Sequence, residues 1–121
     1  MAQENYSFRH YSDLVSIFYT GTRIAYPDVI HMRQPVFSYM AEKPSLIIVD
    51  CSALDYIDLT GVRFLVEMHD FQVKSNLSLT LSNIKEGEIL ERIKKFDEDR
   101  TLIYFNNNSE AAEFMMRFSP G

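Results

Sequence analysis

Residues Leu46–Gly61 read LIIVDCSALDYIDLTG. Leu46–Val49 is an unbroken aliphatic run, so Leu46–Asp50 reads as a central strand covered on both faces; a strand with one wet face would alternate polar and apolar side chains. A short loop follows. Asp58-Leu59-Thr60-Gly61 then leads into the clearest helical pattern in the chain, predicted over Thr60–Lys74. Val62, Leu65, Val66, His69 and Val73 share one face of it by helical spacing, and Glu67, Asp70 and Lys74 fall away. A hydroxyl at such a strand-to-helix turn stands beside N–H groups that have no helical carbonyl partner and at the positive end of the helix dipole. That is a natural place for a phosphate.

Outward from this stretch, strand and helix patterns alternate. Upstream, Asn5–Phe8 reads as a short first strand and Leu14–Thr20 as a second, closed by Gly21. Pro27 suits the first turn of a helix over Pro27–Ala41, with Tyr26 before it held out of the α region. Pro35 lies inside that helix, so a kink or two shorter pieces are expected, and Pro44 ends the segment. Downstream, Leu77–Leu81 is a strand with Ser78 and Thr80 alternating, and Glu86–Phe96 is an amphipathic helix with Ile89, Leu90, Ile93 and Phe96 apolar. Thr101–Phe105 is a strand, Asn106–Asn108 a loop, and Ser109 the cap of a last helix through about Phe118, with Glu110 and Glu113 in its first turn. This order implies βαβ units, an α/β fold class and a largely parallel sheet, with the first one or two strands antiparallel on an edge. No repeat, low-complexity stretch or Pro/Gly-rich linker divides the chain, so residues 1–121 are expected to form one domain.

The 121 residues are 46% hydrophobic and 13% aromatic, the composition of a globular chain with enough apolar surface for a core. Twelve Lys and Arg against seventeen Asp and Glu give a formal charge of −5. An acidic balance argues against nucleic acid, whose phosphates demand cations. Cys51 is the single cysteine, which excludes an intrachain disulfide and a thiolate metal cluster and fits a reducing cytoplasm. Met1–Asp13 has no apolar signal core, and no segment approaches the roughly 20 apolar residues of a spanning helix, so no membrane role is expected.

Catalytic chemistry is hard to find. His10, His31 and His69 share no metal-ligand spacing with one another or with Cys51, and no GxGxxG, Walker loop or GxSxG occurs; no metal or cofactor is expected. His69 on an inner helix face reads as a hydrogen-bonded core histidine, and Cys51 after a buried strand as inert core. Asp55 and Asp58 are more simply explained by capping and turn chemistry than as an acid/base pair. Lys85–Arg100 mixes both signs as a solvated face does. Thr60 has two readings: an ordinary residue of a helix start, or an exposed functional hydroxyl. Gly61 beside it suggests a tight approach of backbone.

The run LIIVDCSALDYIDLTGVRFLVEMHDF resembles the signature of STAS domains, the family of anti-sigma-factor antagonists. Their pattern is an apolar strand, an Asp or Asn, a short loop with an apolar residue before the motif, then Asp-Ser-Ser-Gly or Asp-x-Thr-Gly opening a helix. Asp50, Leu54, Ile57, Asp58, Leu59, Thr60 and Gly61 fill those places, and the later strands and helices follow in order. The likeness extends over about Leu14 to Phe118. Leu59 stands where the family commonly has its first Ser, and Thr60 where it more often has the second. The loop Gly21–Ala25, which in the family often carries an acidic residue close to the motif, has none here, and Asp28 is the nearest.

The resemblance implies a mixed, mostly parallel sheet of four to five strands with about four helices. It implies no enzymatic activity and no cofactor. Thr60 takes the phosphoacceptor role, with Asp58, Leu59 and Gly61 contributing to the partner contact. The implied partners are a serine/threonine kinase or anti-sigma factor, and a metal-dependent phosphatase that removes the phosphate from Thr60. A STAS scaffold whose Thr60 is never modified, and a small-ligand or nucleotide-binding module, are the alternatives. The apolar residues near Phe114–Phe118 leave a dimer open.

Overall fold

Alternation along single strands divides the core in two. In the computed structural model, which describes residues 6–118, Leu46–Asp50 is a strand buried along its whole length. Ile47 and Val49 enter one hydrophobic cluster, and Leu46 and Ile48 enter another. Side chains of a strand point alternately to opposite faces, so the two clusters lie on the two sides of one sheet.

In chain order the elements are β1 (Ser7–His10), β2 (Val15–Tyr19), β3 (Arg23–Ile24), α1 (Tyr26–Glu42), β4 (Leu46–Asp50), β5 (Tyr56–Ile57), α2 (Leu59–Lys74), β6 (Leu79–Ser82), α3 (Glu88–Phe96), β7 (Tyr104–Phe105) and α4 (Asn108–Phe118). The main sheet has the order β1-β2-β4-β6-β7. β1 is antiparallel to β2 on the edge, and every other pairing is parallel, with Ile17 opposite Ile48 and Ile48 opposite Thr80. Helices α1, α2 and α3 bury Val29, Met32, Val36, Met40, Phe64, Leu65, Met68, Ile89 and Ile93 in the larger cluster with Phe18, Leu79 and Leu81. Among the described residues, α4 is the one helix on the other face, which it covers through Ala111, Ala112 and Met115. This is the α/β, largely parallel sheet with an antiparallel edge expected from the alternation, and its five strands and four helices agree with the four to five strands and about four helices that the resemblance implies.

Several local expectations shift. The first strand runs Ser7–His10 and not Asn5–Phe8, Asn5 lying outside the described residues. α1 is one 17-residue helix through Pro35 and not two pieces. Pro35 and His31 are both exposed, so the hydrogen bond that the ring removes from the His31 carbonyl is on the wet side, where water replaces it. The buried face of α2 consists of Gly61, Val62, Phe64, Leu65, Met68 and Gln72. Val73 is 54% exposed and His69 is half-buried beside Asp70, so neither belongs to the core stripe. Gln72 is inside because its Nε2 donates to the carbonyls of Ser45 at 2.7 Å and Ser78 at 2.9 Å, stitching the starts of β4 and β6 together.

β6 begins at Leu79, and its polar positions Thr80 and Ser82 are buried under α4. α3 begins at Glu88 and β7 shrinks to two residues. At α4 the cap is Asn107, whose Oδ1 accepts from the Glu110 N–H at 2.8 Å; Ser109 is already inside the first turn. A separate parallel pair, β3 with β5, joins Ile24 to Ile57. Two-residue strands carry no periodicity, and this pair is what positions the site.

Candidate functional site

Asp58 occupies the N-cap of α2 with extended backbone, and the Asp58 carbonyl accepts from the Val62 N–H at 3.0 Å to start the helix. Its Oδ1 accepts from the Gly61 N–H at 2.8 Å, and its Oδ2 accepts from the Tyr26 N–H at 3.0 Å. One carboxylate therefore ties the first turn of α2 to the first turn of α1. Asp58 is thus a capping residue, as the simpler reading held, with a tertiary contact added. Asp28 does the parallel job at α1, accepting from the Ala25 N–H at 3.0 Å and pairing with Arg23 at 2.9 Å.

Gly61 explains itself by proximity. A Cβ there would stand 2.1 Å from the Ile24 carbonyl oxygen and 2.7 Å from Ile57 Cγ1. The start of α2 is pressed against β3 and β5 at a distance that only glycine allows. The pressing is maintained by the β3–β5 pairing and by the Thr22 carbonyl, which accepts from the Asp55 N–H at 2.8 Å and the Tyr56 N–H at 3.2 Å. The loop Gly21–Ala25 contributes backbone carbonyls to the site and carries no acidic side chain. Tyr26 and Tyr56, on either side of it, are 60% and 41% exposed.

Leu59 and Thr60 are the first two helical residues. Leu59 is 38% exposed and Thr60 half-buried. Among the described residues the Thr60 hydroxyl makes no hydrogen bond, whereas the neighbouring Asp58 carboxylate uses both oxygens. The N–H groups of Leu59 and Thr60 precede the first carbonyl a helix can offer them, so they point outward with the positive end of the dipole. An acceptor-rich anion fits there chemically.

Two cations border this turn. Arg92 of α3 donates from Nη1 to the Ile57 carbonyl at 3.2 Å, stacks over the Tyr56 ring at 4.8 Å and pairs with Glu88. Its pKa is raised, first by the contact with Tyr56 and then by Glu88. Arg63, three residues after Thr60, is exposed and has no hydrogen bond or ion pair among the described residues. Neither was singled out from sequence, since Arg92 arrives from 35 residues away and Arg63 looks like any solvated helix position.

Behind the turn, Asp50 is a nearly buried carboxylate at the end of β4. Burial alone would raise its pKa. Bonds from the Asn108 amide at 3.0 Å, the Ser52 N–H at 2.8 Å and the Asn83 amide at 3.3 Å outweigh that and hold it below its ordinary value. Burial, with some repulsion from Asp50, pushes the Cys51 thiol up to about 12, which matches the inert core reading. Asp55 pairs with Lys85 at 2.8 Å on the surface. Among the described residues, no group of three or more His, Cys, Asp or Glu is arranged to hold a metal ion, and no helix is long and apolar enough to cross a membrane.

A family model described as STAS domain matches residues 9–112. Solved structures share the fold. A Thermotoga maritima protein described as a candidate anti-sigma factor antagonist superposes with a TM-score of 0.81 at 18% identity, over 93% of this chain and 95% of that one. The anti-sigma factor antagonist SpoIIAA in its unphosphorylated form gives 0.68 at 12% identity, over 93% and 98%. The murine solute carrier 26 family member A9 anion transporter in its inward-facing state gives 0.71 at 19% identity, over 85% of this chain and 18% of the transporter. The chain thus spans about a fifth of that transporter's length. No curated protein sequence matches the chain.

Proposed function

This chain belongs to the STAS domain family, and on that premise we propose that it is a regulatory binding module switched by phosphorylation of Thr60. The observation that carries the reading is the free Thr60 hydroxyl at the start of α2, with Asp58 fully engaged before it and Leu59 exposed beside it. In this reading the chain is a substrate and not a catalyst. A serine/threonine kinase, which doubles as an anti-sigma factor or switch kinase, is its binding partner, and a metal-dependent phosphatase restores the hydroxyl.

The physics of such a switch is local. A phosphate adds about −1.5 to −2 charge and three acceptor oxygens. At this turn it meets outward N–H groups and the helix dipole, so the fold accommodates it. A partner that has packed against Leu59 and Thr60 meets bulk and charge in a space from which water has been expelled. A loss of ~3 kcal/mol in that setting weakens binding by roughly a hundredfold. Leu59 suits a contact of this kind, since an apolar side chain favours a dry interface.

The test uses the kinase or anti-sigma factor that co-purifies with the chain from its native cells. Thr60→Ala is expected to keep affinity for it within a few-fold, while Thr60→Glu and Thr60→Asp lose one to two orders of magnitude. Equal affinity of the alanine and acidic variants would remove Thr60 as the switch.

A further inference from the structure

Beside the motif, a groove of about 390 Å³ runs between α2 and the end of α3. Leu59, Val66 and Phe96 supply its apolar lining, Arg63 stands on it near Thr60, and Glu98 and Asp99 stand where α3 has ended. Asp97 and Glu67 also line it, but their carboxylates are spoken for: Asp97 accepts from the N–H groups of Thr101 at 3.0 Å and Leu102 at 2.8 Å, and Glu67 pairs with Arg33. Lys95 holds its ammonium over the Phe96 ring at 5.5 Å. Arg63, Glu98 and Asp99 have no hydrogen bond or ion pair among the described residues. The groove therefore combines an apolar lining with, among the described residues, one unpaired cation three residues from Thr60 and two unpaired anions in the turn after α3.

We propose that this groove docks a partner segment that presents an apolar side chain to Leu59, Val66 and Phe96, a basic side chain to Glu98 and Asp99, and an acidic side chain to Arg63. The occupant is argued from charge complementarity: Asp97 and Glu67 are already satisfied within the chain, whereas Arg63, Glu98 and Asp99 are solvated with no protein partner among the described residues and are free to pair with opposite charges on a bound segment. Apolar anchors that supply affinity beside charges that set orientation are also how standard interfaces are built. The inference builds on the reading of Thr60 as the switch and gives that switch a second lever. Thr60 and Arg63 are three residues apart on one helix, so their side chains are neighbours. A phosphate on Thr60 takes Arg63 from the partner's carboxylate and repels that carboxylate as well.

The experiment pans a random dodecapeptide phage library on the purified full chain at physiological salt, then titrates the synthetic consensus peptide into 15N-labelled protein. The expected consensus places Lys or Arg beside an aliphatic or aromatic residue. Amide shifts should fall on Leu59, Arg63, Val66 and residues 96–99, and Glu98→Lys with Asp99→Lys should weaken the peptide roughly tenfold at unchanged circular dichroism. Selection of peptides without basic residues, shifts on another face, failure to select any peptide, or affinity within twofold in the double reversal would each overturn the groove. A Thr60→Glu arm separates the two claims. Weaker peptide binding there supports the link to the switch. Unchanged binding leaves the groove standing and breaks the link, while phosphate found on Thr60 in cells without a groove-binding peptide sinks the groove alone.

Discussion

Gly61→Ala is the sharpest perturbation of the site's architecture, because the new methyl has nowhere to go. Its carbon would stand 2.1 Å from the Ile24 carbonyl oxygen, 2.7 Å from Ile57 Cγ1 and 3.0 Å from the Ile24 carbonyl carbon. Non-bonded carbons sit comfortably at about 3.5–4.0 Å, so α2 must retreat from β3 by about 1 Å. Rotating a side chain does not relieve the closest contact, since it is with backbone. The retreat lengthens the Asp58 bond to the Tyr26 N–H, now 3.0 Å, and loosens the pairing of Ile24 with Ile57. Overpacking costs about 1–3 kcal/mol, and a weakened cap adds about 1 kcal/mol. Alanine's better helix propensity returns less than about 1 kcal/mol at the helix start. The net expectation is a loss of about 2–3 kcal/mol, read as a lower urea midpoint by circular dichroism, with a Tm lower by about 10 °C. Ile57→Ala in the same chain is not expected to rescue it, because the Ile24 carbonyl remains. A Gly61→Ala chain as stable as the original, within about 0.5 kcal/mol, would refute the close approach and with it the geometry of the turn.

Asp58→Ala removes two bonds, to the Gly61 and Tyr26 N–H groups, and should cost about 2 kcal/mol in urea unfolding, with Asp58→Asn recovering about half. Asp50 has a depressed pKa in the folded state, so its contribution is present above the unfolded value of about 3.9 and fades as pH falls through the folded one. The stability gap between the original chain and Asp50→Asn should be flat near neutral pH and close below about pH 4, and a gap that widens on acidification would contradict the assignment. Cys51, fully buried with its thiol pushed up to about 12, should resist iodoacetamide at pH 8 in native protein and react fully in urea, as intact mass will show; rapid native alkylation would place it on the surface.

The parts of the fold that were legible in advance are those written in local pattern. Leu46–Asp50 was readable because four consecutive aliphatic residues signal a strand covered on both faces, and its observed bounds are the expected ones. α2 was readable from its 3.6-residue period, yet its inner face was placed about one position off. His69 and Val73 fit the spacing, but the helix turns Met68 and Gln72 inward, and Gln72 is admitted by two carbonyls on other elements. β3 and β5 were invisible because two residues hold no period; only their pairing makes them strands. At the site the same division holds. The Asp58 cap follows from residues three apart, whereas the need for Gly61 is set by the distant Ile24 carbonyl, the Tyr26 bond spans 32 residues and the Arg92 bond 35, distances that no local pattern encodes.

The proposed switch answers most directly to peptide-level mass spectrometry of the chain isolated from its native cells in several growth states. The account predicts a single phosphate mapped to Thr60, in a fraction that changes with growth state. A Thr60 that stays unmodified in every state would contradict it.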